Sequence, residues 1–301
     1  MEQLYLKNGR SAYSRIGYAA ALNIAVTTGL QFLLQWLFGR YLQNPWLMYA
    51  VLVLPIYLIA MPVSALLVWD MPMLPLIKKK LSAGRFIIVI MVCFAIMYAG
   101  NWVGAGINLI IQAISGQPTS QDLLNLISGS GVWANLVFIV ILAPVAEELF
   151  FRKLLIPRLL PFGEKPAIVI SGLLFGLFHG NFSQFFYAFG LGIAFGFIFV
   201  KTGKVIYTII LHMVINFFGS VISLLIIDSP VVVTALYGVF VLCLFVAGLV
   251  LFFVNVKRTK MVRGLFALPK GKAAVYLNPG MLLAFACCAG LFVMSLLPMF
   301  S

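Results

Sequence analysis

Long uncharged apolar stretches follow one another along the chain, and charged residues collect in the short segments between them. A helix needs about 20 apolar residues to cross the hydrocarbon core of a bilayer. On that criterion the pattern predicts spans at 16–39, 46–69, 86–112, 132–156, 166–180, 183–200, 205–227, 231–256 and 280–299. The first run is too long for a signal peptide, and no small-residue cleavage site follows it. The expected fold is therefore all-α, a polytopic transmembrane helix bundle of about nine spans. The fifth run is only 15 residues long; if it forms a re-entrant hairpin with the sixth, the count falls to seven.

Composition agrees with this reading and excludes an ordinary soluble domain. Hydrophobic residues make up 63% of the chain and charged residues 9%, against about 45–50% and 25% in soluble domains. A net charge of +13 would suit a nucleic-acid partner if the basic residues were clustered, but they are scattered among short loops. That scatter instead follows the positive-inside pattern. With the N-terminus cytoplasmic, 19 of the 20 basic residues fall on inner segments and only Arg40 lies outside. Trp36, Trp46, Trp69 and Trp133 sit near span ends, as an interfacial aromatic belt requires. Cys93, Cys243, Cys287 and Cys288 lie in apolar runs without metal-ligand or disulfide spacing and read as packing residues.

Three regions follow from this organisation: N-terminal helices over 1–130, a central region over 131–226 and C-terminal helices over 227–301. The longest loops are 70–85, 113–131 and 257–279, the second of them expected outside. Small residues spaced four apart (Gly100 and Gly104; Gly172, Gly176 and Gly180; Gly192 and Gly196) predict close helix approach.

The central region carries the polar residues that an apolar run should not contain. An ionised side chain at the centre of a lipid-facing helix costs roughly 2.5–3.5 kcal/mol on insertion scales. Yet A-P-V-A-E-E-L-F-F-R places Glu147, Glu148 and Arg152 at the end of a run that starts near Val132. Glu148 and Arg152 are spaced i, i+4 and share a helix face, whereas Glu147 points roughly 100° away. The chain has only two histidines, His179 in F-G-L-F-H and His212 in H-M-V-I-N, the latter one turn before Asn216. Counting about 1.5 Å per residue from the inner helix ends puts Glu147, His179, His212 and Asn216 roughly 16, 21, 12 and 18 Å deep. All four can meet.

Taken singly, each has an ordinary explanation: a membrane histidine as a helix–helix hydrogen bonder, Glu148 and Arg152 as a structural pair. The conjunction is harder to assign to packing. An H-E-x-x-H zinc helix is absent, no aspartate lies in mid-span, and Ser171 lacks a G-x-S-G setting. A Glu, two His and an Asn suit amide hydrolysis by activated water. The Glu is a base, a His orients the water or protonates the leaving amine, and donors hold the oxyanion. The alternative is a non-catalytic membrane protein, an immunity or scaffold factor or a transporter with a structural polar cluster.

In order, E-E-x-x-x-R, F-x-x-x-H and H-x-x-x-N resemble the motifs of the CPBP family, the CAAX-protease and bacteriocin-processing intramembrane endopeptidases, over roughly 131–226. That resemblance implies Glu147 as general base, His179 as its partner on the water, His212 and Asn216 as the oxyanion site, and supporting roles for Glu148 and Arg152. The implied substrate is a membrane-anchored peptide or protein, met in the bilayer, with no nucleic acid involved. The implied setting is a multi-pass protein of a bacterial plasma membrane whose site opens toward the cytoplasmic half. The family has been described both as glutamate-dependent and as metal-dependent. A catalytic zinc held by Glu147, His179 and His212 is the other chemistry this set could serve.

Overall fold

The computed structural model describes residues 9–117, 131–256, 259–266 and 272–297. Lys7, Lys257, Arg258, Lys270 and most of the 113–131 loop, all used in the topology argument, lie outside the described residues. The described helices are α1 (Gly9–Phe38), α2 (Pro45–Leu66), α3 (Ala83–Ser115), α4 (Gly131–Phe162), α5 (Glu164–Leu177), α6 (Phe182–Thr202), α7 (Val205–Ile227), α8 (Val231–Val256), α9 (Lys272–Tyr276) and α10 (Pro279–Leu296). Among the described residues eight helices are long and apolar enough to cross a membrane, and no strand is formed. The chain is an integral membrane protein.

Eight lies inside the expected range, and α5 accounts for the difference from nine. Its 14 residues rise about 21 Å, short of the roughly 30 Å hydrocarbon core. It pairs with α6 as an antiparallel hairpin whose backbones nearly touch: a Cβ on Gly192 would stand 2.8 Å from Gly172 Cα. Apolar burial is no driving force between helices in lipid, so close packing of this kind supplies the cohesion. Gly180 closes the hairpin in a left-handed conformation, φ +65°, that a side chain would strain. Asn181 then caps α6 by accepting from Gln184 N at 2.9 Å.

The two ends of the bundle differ in charge. Lys79 N donates to Thr202 O at 2.7 Å, Leu74 N to Pro157 O at 2.9 Å, Phe266 N to Pro161 O at 3.1 Å and Glu164 N to Val262 O at 3.2 Å. Arg15 donates to Leu67 O at 2.9 Å and pairs with Asp70, whose carboxyl this bond holds below its ordinary range. Gly280 N meets Ser14 Oγ at 3.0 Å. The start of α1 and the segments 67–82, 157–165, 201–204, 259–266 and 278–280 therefore share one end. With them go the described basic residues except Arg40 and the buried Arg152. The sidedness read from charge is thus a real partition of the fold into a basic end and an opposite end. Trp36, Trp46, Trp69 and Trp133 are all exposed. All four cysteines are free thiols, but Cys243 is exposed rather than packed, on the outward surface of α8.

Four helical stretches are wound as wide π-turns: 55–60 in α2, 136–142 and 149–155 in α4, and 217–222 in α7. The first three each end two residues before a proline: Pro62, Pro144 or Pro157. Proline has no N–H, and its ring collides with the carbonyl four residues back; a wider turn moves that carbonyl aside. Wide turns inside helices recur at functional sites, and here they border the polar cluster.

Candidate active site

Between its two wide turns α4 has a short regular segment, Ala143–Glu148, that presents the paired acids to different surroundings. Glu148 is fully buried. Its Oε2 lies 3.1 Å from Arg152 Nε, an ion pair without hydrogen-bond alignment, since among the described residues neither atom has a hydrogen-bond partner. Its Oε1 lies 3.1 Å from His212 Nδ1. Arg152, also fully buried, has its guanidinium carbon 4.3 Å from the Phe175 ring centroid and 5.4 Å from that of Phe195. Nη2 reaches Gly192 O at 3.5 Å. One carboxylate and three aromatic or backbone partners thus replace the water this cation has lost. The division of labour expected from helical phase is found: Glu148 faces the arginine and Glu147 does not.

Glu147 keeps 19% of its side chain exposed. Its Oε1 accepts a hydrogen bond from Tyr57 Oη at 2.7 Å, and its Oε2 stands 3.8 Å from His212 Nε2. His212 therefore bridges the two acids, with Phe175 and Phe195 rings each 5.5 Å from its own. Because Glu148 is an acceptor, Nδ1 carries a proton, and Nε2 is the nitrogen turned to Glu147.

His179 stands apart from this bridge. Its Nδ1–H donates to Phe175 O at 2.8 Å, which leaves Nε2 unprotonated in the neutral ring. Among the described residues no hydrogen bond joins it to either acid. Asn216 Nδ2 donates to Ile139 O at 2.9 Å, and the wide turn explains why that carbonyl is free. Ala143 N–H bonds Phe138 O, so the next partner in the ladder, for Ile139 O, would be residue 144, a proline. One N–H of the Asn216 amide remains.

His179 also forms part of the wall of a cavity of about 450 Å³. The cavity runs from His179 away from the basic end, between α1, α10 and the α5–α6 turn, and Tyr57, Glu147, His212 and Asn216 are not among the residues that line it. Depth counted along single helices gives level but not the direction of an opening. Among the described residues no three His, Cys, Asp or Glu side chains form a metal-holding group. Glu147, His179 and His212 are thus not gathered as a ligand shell in this arrangement.

Tyr57 is the member that sequence reasoning missed. It lies 90 residues from Glu147 in an apolar stretch, where its hydroxyl reads as one more aromatic. The only hint was its place in a span holding both Pro55 and Pro62, prolines that announce irregular winding.

Ionisable side chains buried between membrane helices mark a candidate functional site, and Glu148, Arg152 and His212 form such a cluster. Residues 129–218, less than a third of the chain, match the family model described as type II CAAX prenyl endopeptidase, Rce1-like. This is the group that the three motifs resemble, and the match supports an intramembrane endopeptidase of the CAAX type acting on a membrane-embedded peptide or protein. No curated protein and no solved structure matches the chain.

Proposed function

We propose that the chain cleaves a peptide bond of a membrane-anchored peptide or protein with a water activated at Glu147. The observation that carries this reading is the contrast between the two adjacent acids. Glu148 is sealed by Arg152 and His212, whereas Glu147 remains partly exposed and oriented by Tyr57.

In this reading Glu147 Oε2 accepts the proton of the attacking water, and Tyr57 holds Oε1 so that the other oxygen faces the reaction. His179, with Nδ1 fixed on Phe175 O, uses Nε2 to hold the water and then to pass the proton taken up by Glu147 to the amine nitrogen as the C–N bond breaks, releasing an amine and a carboxylic acid. With both nitrogens protonated His212 donates to Glu148 through Nδ1 and toward the tetrahedral oxyanion through Nε2. The free Asn216 N–H is the second donor, and such preorganised donors act strongly where water is excluded. The cytoplasmic placement of the basic end belongs to the same proposal and rests on the positive-inside rule.

The test is cleavage of membrane-anchored reporter peptides by the purified protein. Parent protein should cut and Glu147→Gln should not, while both remain folded; equal cleavage by the two would sink the assignment.

A further inference from the structure

The cavity at His179 starts at mid-bundle and ends far from the basic loops. Ile56 and Phe178 line its deep part, with His179. Its outer part is lined by Gln31, 22 residues beyond the start of α1 at Gly9, by Asn108 near the end of α3 and by Leu296, the last residue of α10. Each of those helices begins at the basic end. The wall thus rises from the centre of the bundle to the opposite end.

Its chemistry is unlike a lipid-facing crevice. Amides and hydroxyls recur in the wall, including Asn23, Thr27, Gln31, Asn108, Asn181 and Ser295, and none of the lining residues is charged. Several of these groups are already fixed: Asn108 donates to Ser183 at 2.7 Å and Gln31 to Leu52 O at 2.7 Å. Each such amide still has unused donors or acceptors. Among the described residues the buried Thr27 hydroxyl has no hydrogen-bond partner, a rare state for a buried polar atom. An acyl chain would satisfy none of these groups. An extended peptide would, because within a membrane its own N–H and C=O groups must find partners. The volume, about 450 Å³, falls in the roughly 300–1,000 Å³ of ligand sites.

We propose that this cavity receives the substrate, an extended uncharged stretch of polypeptide that reaches His179 from the end of the bundle opposite the basic loops. The inference rests on the endopeptidase reading and adds to it the side from which the scissile segment comes. If the basic end is cytoplasmic, the protease acts on chains presented from across the membrane.

Two single-span reporters test it, alike in sequence but with the same uncharged segment placed beside the span at the basic face in one and at the opposite face in the other. In proteoliposomes of defined orientation the opposite-face reporter should be cut at least tenfold faster. Ser295→Phe and Thr28→Phe, which narrow the cavity away from the acid cluster, should each slow that cleavage tenfold or more with unchanged thermal unfolding. Ser295→Cys gives a readout free of activity: a membrane-impermeant maleimide should label it, above the parent background, from the opposite face only, and the reporter should slow the labelling. Preferential cleavage of the basic-face reporter, or labelling of Ser295→Cys from the basic face, overturns the inference and leaves the endopeptidase reading standing. Cleavage of neither reporter removes both.

Discussion

The Tyr57 hydroxyl and the Glu147 carboxylate, 2.7 Å apart, join a helix outside the family-matched segment to the acid proposed as the base. A hydrogen bond to a charged group contributes about 1.5–3 kcal/mol, and each 1.36 kcal/mol of barrier is tenfold in rate. Tyr57→Phe keeps the ring and removes the donor. It should lower kcat by about 10- to 100-fold with little change in KM, and it should also lower the unfolding temperature modestly, since the same bond contributes to stability. A kcat within twofold of the parent would reduce the contact to a packing detail.

The two acids should separate stability from activity. Glu148→Gln and Arg152→Ala each strand a buried charge, at a cost of about 3–5 kcal/mol, and should lower the yield of monodisperse protein in detergent. Glu147→Gln should purify like the parent and be inactive. The reverse pattern, an unstable Glu147→Gln beside two stable variants, would reject the division of roles.

Asn216 has two duties, and its removal should show both. Loss of an oxyanion donor costs about 10²–10³ in kcat, and an unsatisfied buried carbonyl costs about 1–3 kcal/mol of stability. Asn216→Ala should accordingly retain weak turnover and unfold at lower temperature. Loss of stability with full activity would confine Asn216 to holding Ile139.

Metal dependence is decided by chelation. With water activated by Glu147 alone, a chelator shown by elemental analysis to remove zinc should leave the rate unchanged. Loss of activity that zinc restores would replace this mechanism with a metal-centred one.

Sidedness can be read from thiol labelling. Ser229→Cys, between α7 and α8, should react with an impermeant reagent added outside the cell, and Thr259→Cys at the basic end should not. The opposite result would turn the protein over in the membrane.

Much of this was legible because membrane spans are long, apolar and bounded by charge. Val205–Ile227 and Val231–Val256 match the expected limits, and the glycines at 172 and 192 lie at the close approach their spacing predicts. Glu148 and Arg152 were readable as a pair since one helix carries both. Contacts between distant helices were not: nothing local marks Tyr57 as a partner of Glu147, or Asn216 as the donor to Ile139 O. The latter depends on Pro144 interrupting a wide turn, a signal present in the sequence but readable only once the winding is known.

That winding has a consequence for how the chain tolerates changes of length. A single-residue deletion in a regular helix turns everything beyond it by roughly 100°. Each π-turn already holds a surplus residue, so a deletion inside 217–222, beyond Asn216, can relax to regular helix and leave His212 in place. A deletion inside 149–155 can relax likewise, but one of those residues is Arg152, whose fit against Glu148 and Phe175 depends on the wide turn. Natural length variation in this fold should therefore be accepted in the wide turn of α7 and refused in the second wide turn of α4.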